Sequence, residues 1–180
     1  MAVEVSAVSG GRDLKRFIDL PFGLHANHPL WVPPLKVERR LFLNRRLNAF
    51  FSHGEAEYFL ARRDGRVVGR ISAQINHAFN EHQGKHWGWF GFLELEDDDE
   101  VAQALLEAAG TWLRARGSER MVGPADFSMN EESGRNLPFI FISTWLRSGG
   151  VIAMPTTSPV SSRSAIMNQF LSKTSCSSCA

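Results

Sequence analysis

The chain has 180 residues, 43% of them apolar and 22% charged, enough for one globular domain with a proper core. A formal net charge of +1 gives no overall electrostatic footprint for nucleic acid, and the longest apolar run outside ordinary strands, residues 139–146 (FIFISTWL), is far short of the about 20 residues a membrane helix needs. The opening MAVEVSAVSG lacks the basic start and apolar run of a signal peptide, so a soluble, cytoplasmic protein with neither nucleic-acid nor membrane partner is expected.

Val3 to Val8 alternates as a strand does, and GRDLKRFIDL spaces Leu14, Phe17 and Ile18 as a helix does, with Pro21 close behind to end or kink it. In HANHPLWVPPL the prolines Pro29, Pro33 and Pro34 hold the chain extended around Trp31. LKVERRLFL predicts a short helix, and Arg39, Arg40, Arg45 and Arg46 are expected on its solvated side. Asp64-Gly65, between two alternating runs, predicts a hairpin whose turn needs positive φ at both central residues. Val67, Gly69, Ile71, Ala73 and Ile75 are expected to share one face of its second strand.

A polar, histidine-rich loop is expected next, leading into HWGWFGFLELE. Strict alternation there places Trp87, Trp89, Leu93 and Leu95 on one face and Phe90 and Phe92 on the other, a strand buried on both sides. After DDDE, the residues Val101, Leu105, Ala108, Ala109, Trp112 and Leu113 form one helical stripe, with Gly117 as the stop, and RMVGP predicts a last strand. The sum is an α/β (α+β) domain built on a sheet flanked by helices.

All 19 acidic residues lie at or before Glu132. Residues 1–134 hold 16 basic and 19 acidic residues, a net −3, whereas residues 135–180 hold four basic residues, ten serines and no acid, a net +4. A break of this kind marks a boundary. The expected division is a folded part, 1–134, and a divergent serine-rich tail, 135–180, either out of its natural reading frame or disordered.

Several groups invite chemistry. In GPADFSMNEESG, Glu131 or Glu132 is a candidate general base, with Asn130 or Ser128 to orient a substrate, although such loops also turn through local side-chain bonds without catalysis. His77, His82 and His86, with Glu81 nearby, lack any metal-ligand pattern and read as a solvated loop, and no metal is expected. His53, before a strand, is either a base or a packing residue. Cys176 and Cys179 lie at the serine-rich end without the strand and helix of a redox motif, and read as incidental.

The phrases FIDLPFGLHANHPLWVPPL, NAFFSHGEAEYFLARRDGRVVGRISAQIN, GWFGFLELEDDDEVAQALLEAAGTWLRARG and GPADFSMNEESG together resemble the GNAT-type acyl-CoA N-acyltransferases, and within them a bacterial branch of longer proteins. The resemblance covers residues 3–134 and implies a GNAT-like mixed sheet flanked by helices, incomplete at its C-terminal end in this chain. It also implies transfer of an acyl group from acyl-CoA or acetyl-CoA to an amine acceptor that the residues do not identify. In such enzymes the cofactor's pyrophosphate rests on the N-terminus of the helix after the fourth strand, yet Asp97, Asp98, Asp99 and Glu100 stand there in place of a glycine-rich loop. The usual pyrophosphate loop is therefore not seen, and a catalytically silent, partner-binding version of the fold is the alternative.

Overall fold

In the computed structural model, residues 2–127 are described in full and 142–147 and 150–155 as strands. Strand β1 (Glu4–Ala7) leads into helix α1 (Gly10–Leu24), and α2 (Lys36–Phe42) and a 3-10 turn (Ala49–Ser52) follow. The hairpin β2 (Gly54–Arg63) and β3 (Arg66–Asn76) is closed by Asp64 and Gly65 at φ 54° and 77°, the positive values that the dipeptide predicts. Then come α3 (His77–Gln83), β4 (Trp87–Leu95), α4 (Asp99–Arg114), β5 (Arg120–Gly123), β6 (Ile142–Arg147) and β7 (Gly150–Pro155).

The strands form one sheet in the order β1-β2-β3-β4-β5-β6-β7. Only β4 and β5 run parallel, joined by the α4 crossover; every other neighbouring pair is antiparallel. The sheet separates two cores. Against one face α4 buries Val101, Leu105, Leu106, Ala109 and Leu113 onto Ile71, Ala73 and Phe90. Against the other, α1 buries Phe17 and Ile18 with Phe50, Tyr58, Leu60, Phe92 and Phe127. Helix α4 ends as its glycine dictates: Gly117 sits at φ 79°, and the N–H groups of Ser118 and Gly117 donate back to the carbonyls of Leu113 (3.1 Å) and Arg114 (3.0 Å).

Four expectations are corrected. The histidine-rich stretch is the helix α3, because the Asn76 side chain caps it at the Phe79 N–H (2.9 Å) and Phe79 packs on Trp87 and Trp89. Phe90 and Phe92 do not share a face. Between β3 and β4 the register passes from Ser72↔Gly91 to Arg70↔Glu94, so Phe92 and Leu93 together oppose Ile71. With Phe92 at φ 49°, this bulge turns its ring toward α1 while Leu93 and Leu95 join the α4 core. A second irregularity, between Ala61 and Arg62, sends Val67 to the α1 core and Val68 to the α4 core, so Val67 leaves the face of Ile71. Finally, β5 is not the last strand, since Ile142–Arg147 pairs along it from Arg120↔Trp145 to Gly123↔Ile142.

Candidate active site

The bulge on β4 is where polar groups gather. β3 alternates Arg70, Ser72 and Gln74 with Ile71, Ala73 and Ile75, a pattern in which the polar set would ordinarily meet water. Here the sheet is covered on both faces, and Arg70, Ser72 and Gln74 are all buried. Burial on this scale requires partners. The Ser72 hydroxyl donates to Gln74 Oε1 (2.7 Å), and Gln74 Nε2 donates to the Ala125 carbonyl. Arg70 donates to the Phe17 carbonyl (2.6 Å) and lies over the rings of Phe17 and Phe92 at 4.9 and 5.7 Å. Its Nε has no hydrogen-bond partner among the described residues. Burial lowers the Arg70 pKa to about 10, opposed by the nearby carboxylates of Glu94 and Asp126, and the guanidinium stays charged at neutral pH.

Residues 123–127 fold over the bulge. Ala125 N–H donates to the Phe90 carbonyl (2.8 Å), and Asp126 Oδ1 accepts from the Phe92 N–H (2.9 Å). So close an approach requires glycine on both strands: a Cβ on Gly91 would overlap the Ala125 carbonyl, and one on Gly123 would overlap the Phe90 carbonyl. Parallel pairing of β4 with β5 stops at Trp89↔Val122, just short of this point.

His25 stands at the outer side of the same region. It follows α1 directly, its N–H bonded to the Pro21 carbonyl (2.9 Å) and its ring packed on Trp31 (5.4 Å between centroids). Its Nε2 lies 2.8 Å from Glu94 Oε2, on the first β4 residue back in register after the bulge. Both side chains are partly exposed, at 15% and 28%, so the pair is shielded yet reachable. A carboxylate on Nε2 fixes the ring's orientation and tautomer and leaves Nδ1 as a proton acceptor. The chain's single tyrosine is not comparably placed: burial raises the Tyr58 pKa, and its hydroxyl donates to the Leu43 carbonyl (3.2 Å).

The acidic start of α4 is a closed structure. Asp98 caps the helix, accepting from the N–H groups of Glu100 (3.0 Å) and Val101 (3.2 Å), and Arg63 bridges Asp98 and Glu100. The N–H groups that would cradle a pyrophosphate are thus partly used, and Asp97 and Asp99 flank them. This end does not fit a pyrophosphate.

Of the residues singled out from sequence, Glu131, Glu132, Asn130 and Ser128 lie outside the described residues, as do Cys176 and Cys179. His53 packs on Phe50 (5.7 Å), with Nδ1 3.2 Å from the Ser52 hydroxyl. His77, Glu81 and His86 line an open cleft of about 350 Å3 with Asn80, Lys85 and Arg116, at the end of β4 opposite the bulge. No group of three or more His, Cys, Asp or Glu side chains placed to hold a metal occurs among the described residues. Nor is any helix among them long and apolar enough to cross a membrane.

A solved tandem GNAT protein from the clavulanic acid biosynthesis pathway superposes on this arrangement with a TM-score of 0.54, at 18% identity, over 67% of this chain and 35% of that one. The fold is GNAT-like. By sequence the chain is 47% identical over 133 residues to the bacterial ceramide synthase of Caulobacter vibrioides, covering 73% of this chain and 35% of the relative. It is 39% identical over 122 residues to protein YghO of Escherichia coli, covering 68% and 31% respectively. The chain therefore spans about a third of the length of these curated relatives. No family model matches the chain.

Proposed function

We propose that this chain carries part of an N-acyltransferase site, in which His25, held by Glu94, takes the proton from an attacking amine. The observation that carries the reading is the 2.8 Å contact between His25 and Glu94 beside the β4 bulge. As the amine nitrogen bonds to the acyl carbon and that carbon's bond to the departing group breaks, the amine's proton passes to Nδ1 of His25 and then to the departing group. Arg70, behind Phe92, supplies the fixed positive charge of the region. The acceptor class comes from likeness to the ceramide synthase: we take it to be the primary amine of a long-chain base. The resemblance implies acyl-CoA as donor, but the carboxylate-capped start of α4 disfavours its pyrophosphate there, so no step is assigned to that cofactor.

Residues 1–134 remain the proposed catalytic portion, and the 133-residue match to the ceramide synthase has a similar length. Glu131 and Glu132, with Asn130, stand as the competing base and orienting residue. The test incubates the purified chain with sphinganine and a long-chain acyl thioester and looks for the amide by mass spectrometry. His25→Ala is expected to lower turnover by about 100-fold or more, and Glu94→Gln by less. Loss of turnover in the double variant Glu131→Gln/Glu132→Gln, with His25→Ala unaffected, would move the base to that loop.

The alternative, a catalytically silent fold, is favoured by the closed start of α4. It predicts no amide product and no change in melting temperature on adding acyl-CoA.

A further inference from the structure

The stretch from Leu30 to Leu47 presents apolar side chains to solvent in a way the two cores do not account for. Leu30, Val32, Leu35, Val37, Leu41 and Leu47 are all more than half exposed, with Leu30 at 84%, Val37 at 67% and Leu41 at 54%. On α2, Val37, Arg40 and Leu41 have i, i+3, i+4 spacing and share the outward side, while Phe42 turns in to Phe92 and Phe127. The same stretch contains Lys36, Arg39, Arg40, Arg45 and Arg46 against a single acid, Glu38. Lys36 and Arg45 pair with Asp19 and Glu57, and Arg39 lies over the Phe42 ring. Arg40 and Arg46 are exposed.

Apolar side chains interspersed with cations and nearly free of acid suit an interface where hydrocarbon and negative charge lie within a few ångströms of each other. A second copy fits less well, because a self-complementary contact would set these arginines against their own counterparts. Nucleic acid offers phosphates but no matching place for six exposed aliphatic side chains.

We propose that Leu30 to Leu47 is a membrane-docking surface for anionic phospholipid, with its exposed leucines and valines in the headgroup boundary and Arg40 and Arg46 on lipid phosphates. This departs from the expectation of no membrane partner: the chain lies on a bilayer without spanning it. This surface stands apart from the acyl-transfer reading, since it contains none of His25, Glu94 and Arg70.

The test is flotation of the full chain with vesicles of phosphatidylcholine alone or mixed equally with phosphatidylglycerol. The chain is expected to float with the mixed vesicles, to be released by added salt, and to float weakly with phosphatidylcholine alone. Arg40→Glu/Arg46→Glu should weaken binding to mixed vesicles by at least roughly 25-fold, about fivefold for each charge removed, and leave the weak binding to phosphatidylcholine unchanged. Val37→Asp/Leu41→Asp should abolish flotation on both with the melting temperature unchanged, and Leu30→Ser/Leu35→Ser serves as the second pair should the first fail to fold. A wild-type chain that stays below the gradient with mixed vesicles overturns the proposal, as does undiminished flotation of the folded apolar variants. So does a dimer in gel filtration that Val37→Asp/Leu41→Asp makes monomeric while neither form floats, which would assign the face to self-association.

Discussion

Arg70 is the residue whose environment departs most from the ordinary. A buried guanidinium loses its hydration, and here it regains one charge-assisted bond, to the Phe17 carbonyl, two aromatic faces and the field of Glu94 and Asp126. Lysine has the charge but neither the planar stack nor the same reach. Arg70→Lys is therefore expected to destabilise the fold by about 1.5–3 kcal/mol in a denaturant titration; an unchanged midpoint would show the bond to Phe17 to be dispensable. Nothing in the sequence singles out Arg70, because alternation with Ile71 reports the pleat but not whether a helix covers the second face. His25 and Glu94 are illegible for a different reason. They are 69 positions apart, and only the end of α1 and the register after the bulge bring them together.

Among the elements, α4 was the most legible: its apolar stripe, acidic start and terminal glycine all agree with the helix that forms. Asp98 caps it, so Asp98→Ala should lower stability by about 1 kcal/mol, and Asp98→Asn, which keeps a capping oxygen, by less. Thermal melts of the two variants check this, and equal losses would place the effect in the Arg63 ion pair rather than the cap. β4 was half legible. The run from Trp87 to Leu95 predicts a strand buried on both faces, but nothing in WGWFGFLEL marks Phe92 as the residue at positive φ. The bulge arises from what lies beside it, the Phe92–Asp126 bond and the close passage of residues 123–127. Gly91→Ala is expected to cost about 1–3 kcal/mol, measured by denaturant titration, because the neighbour it meets is backbone and has little room to yield. Helix α3 escaped prediction because seven residues, of which only Ala78 and Phe79 are apolar, carry too little periodicity.

Across the whole molecule, ion pairs tie the layers together at acidic residues. Burial alone would raise Asp13 and Asp19, yet Arg62 beside the first, and Lys15 and Lys36 beside the second, hold both carboxyls below 3.8; at Asp98 the Arg63 hydrogen bond leads the same lowering. These contacts join α1 to β2, α1 to α2 and β2 to α4. A carboxyl depressed in the folded state adds stability above its unfolded pKa and loses it as pH falls through the folded value. The denaturant midpoint is thus expected to change little from these groups between about pH 6 and pH 5 and to fall below about pH 4, less steeply in high salt. A midpoint that holds steady through pH 3 would show the pairs to be energetically silent. At this scale the order of the strands through β5, and of α1, α2 and α4 among them, follows from the sequence, since periodicity and turn residues are local signals. The strands at 142–147 and 150–155 were harder to foresee, because the serine-rich composition that surrounds them argues for a tail.

The bond between Asp126 and the Phe92 N–H makes the chain its own occupant at the bulge. Any carbonyl oxygen that is to receive that N–H competes with a tethered carboxylate always present at high local concentration. Such a ligand binds only when its own contacts exceed what the displaced aspartate gives up. Removing the competing oxygen, as Asp126→Ala does, would show how much affinity the chain withholds from every visitor to that notch.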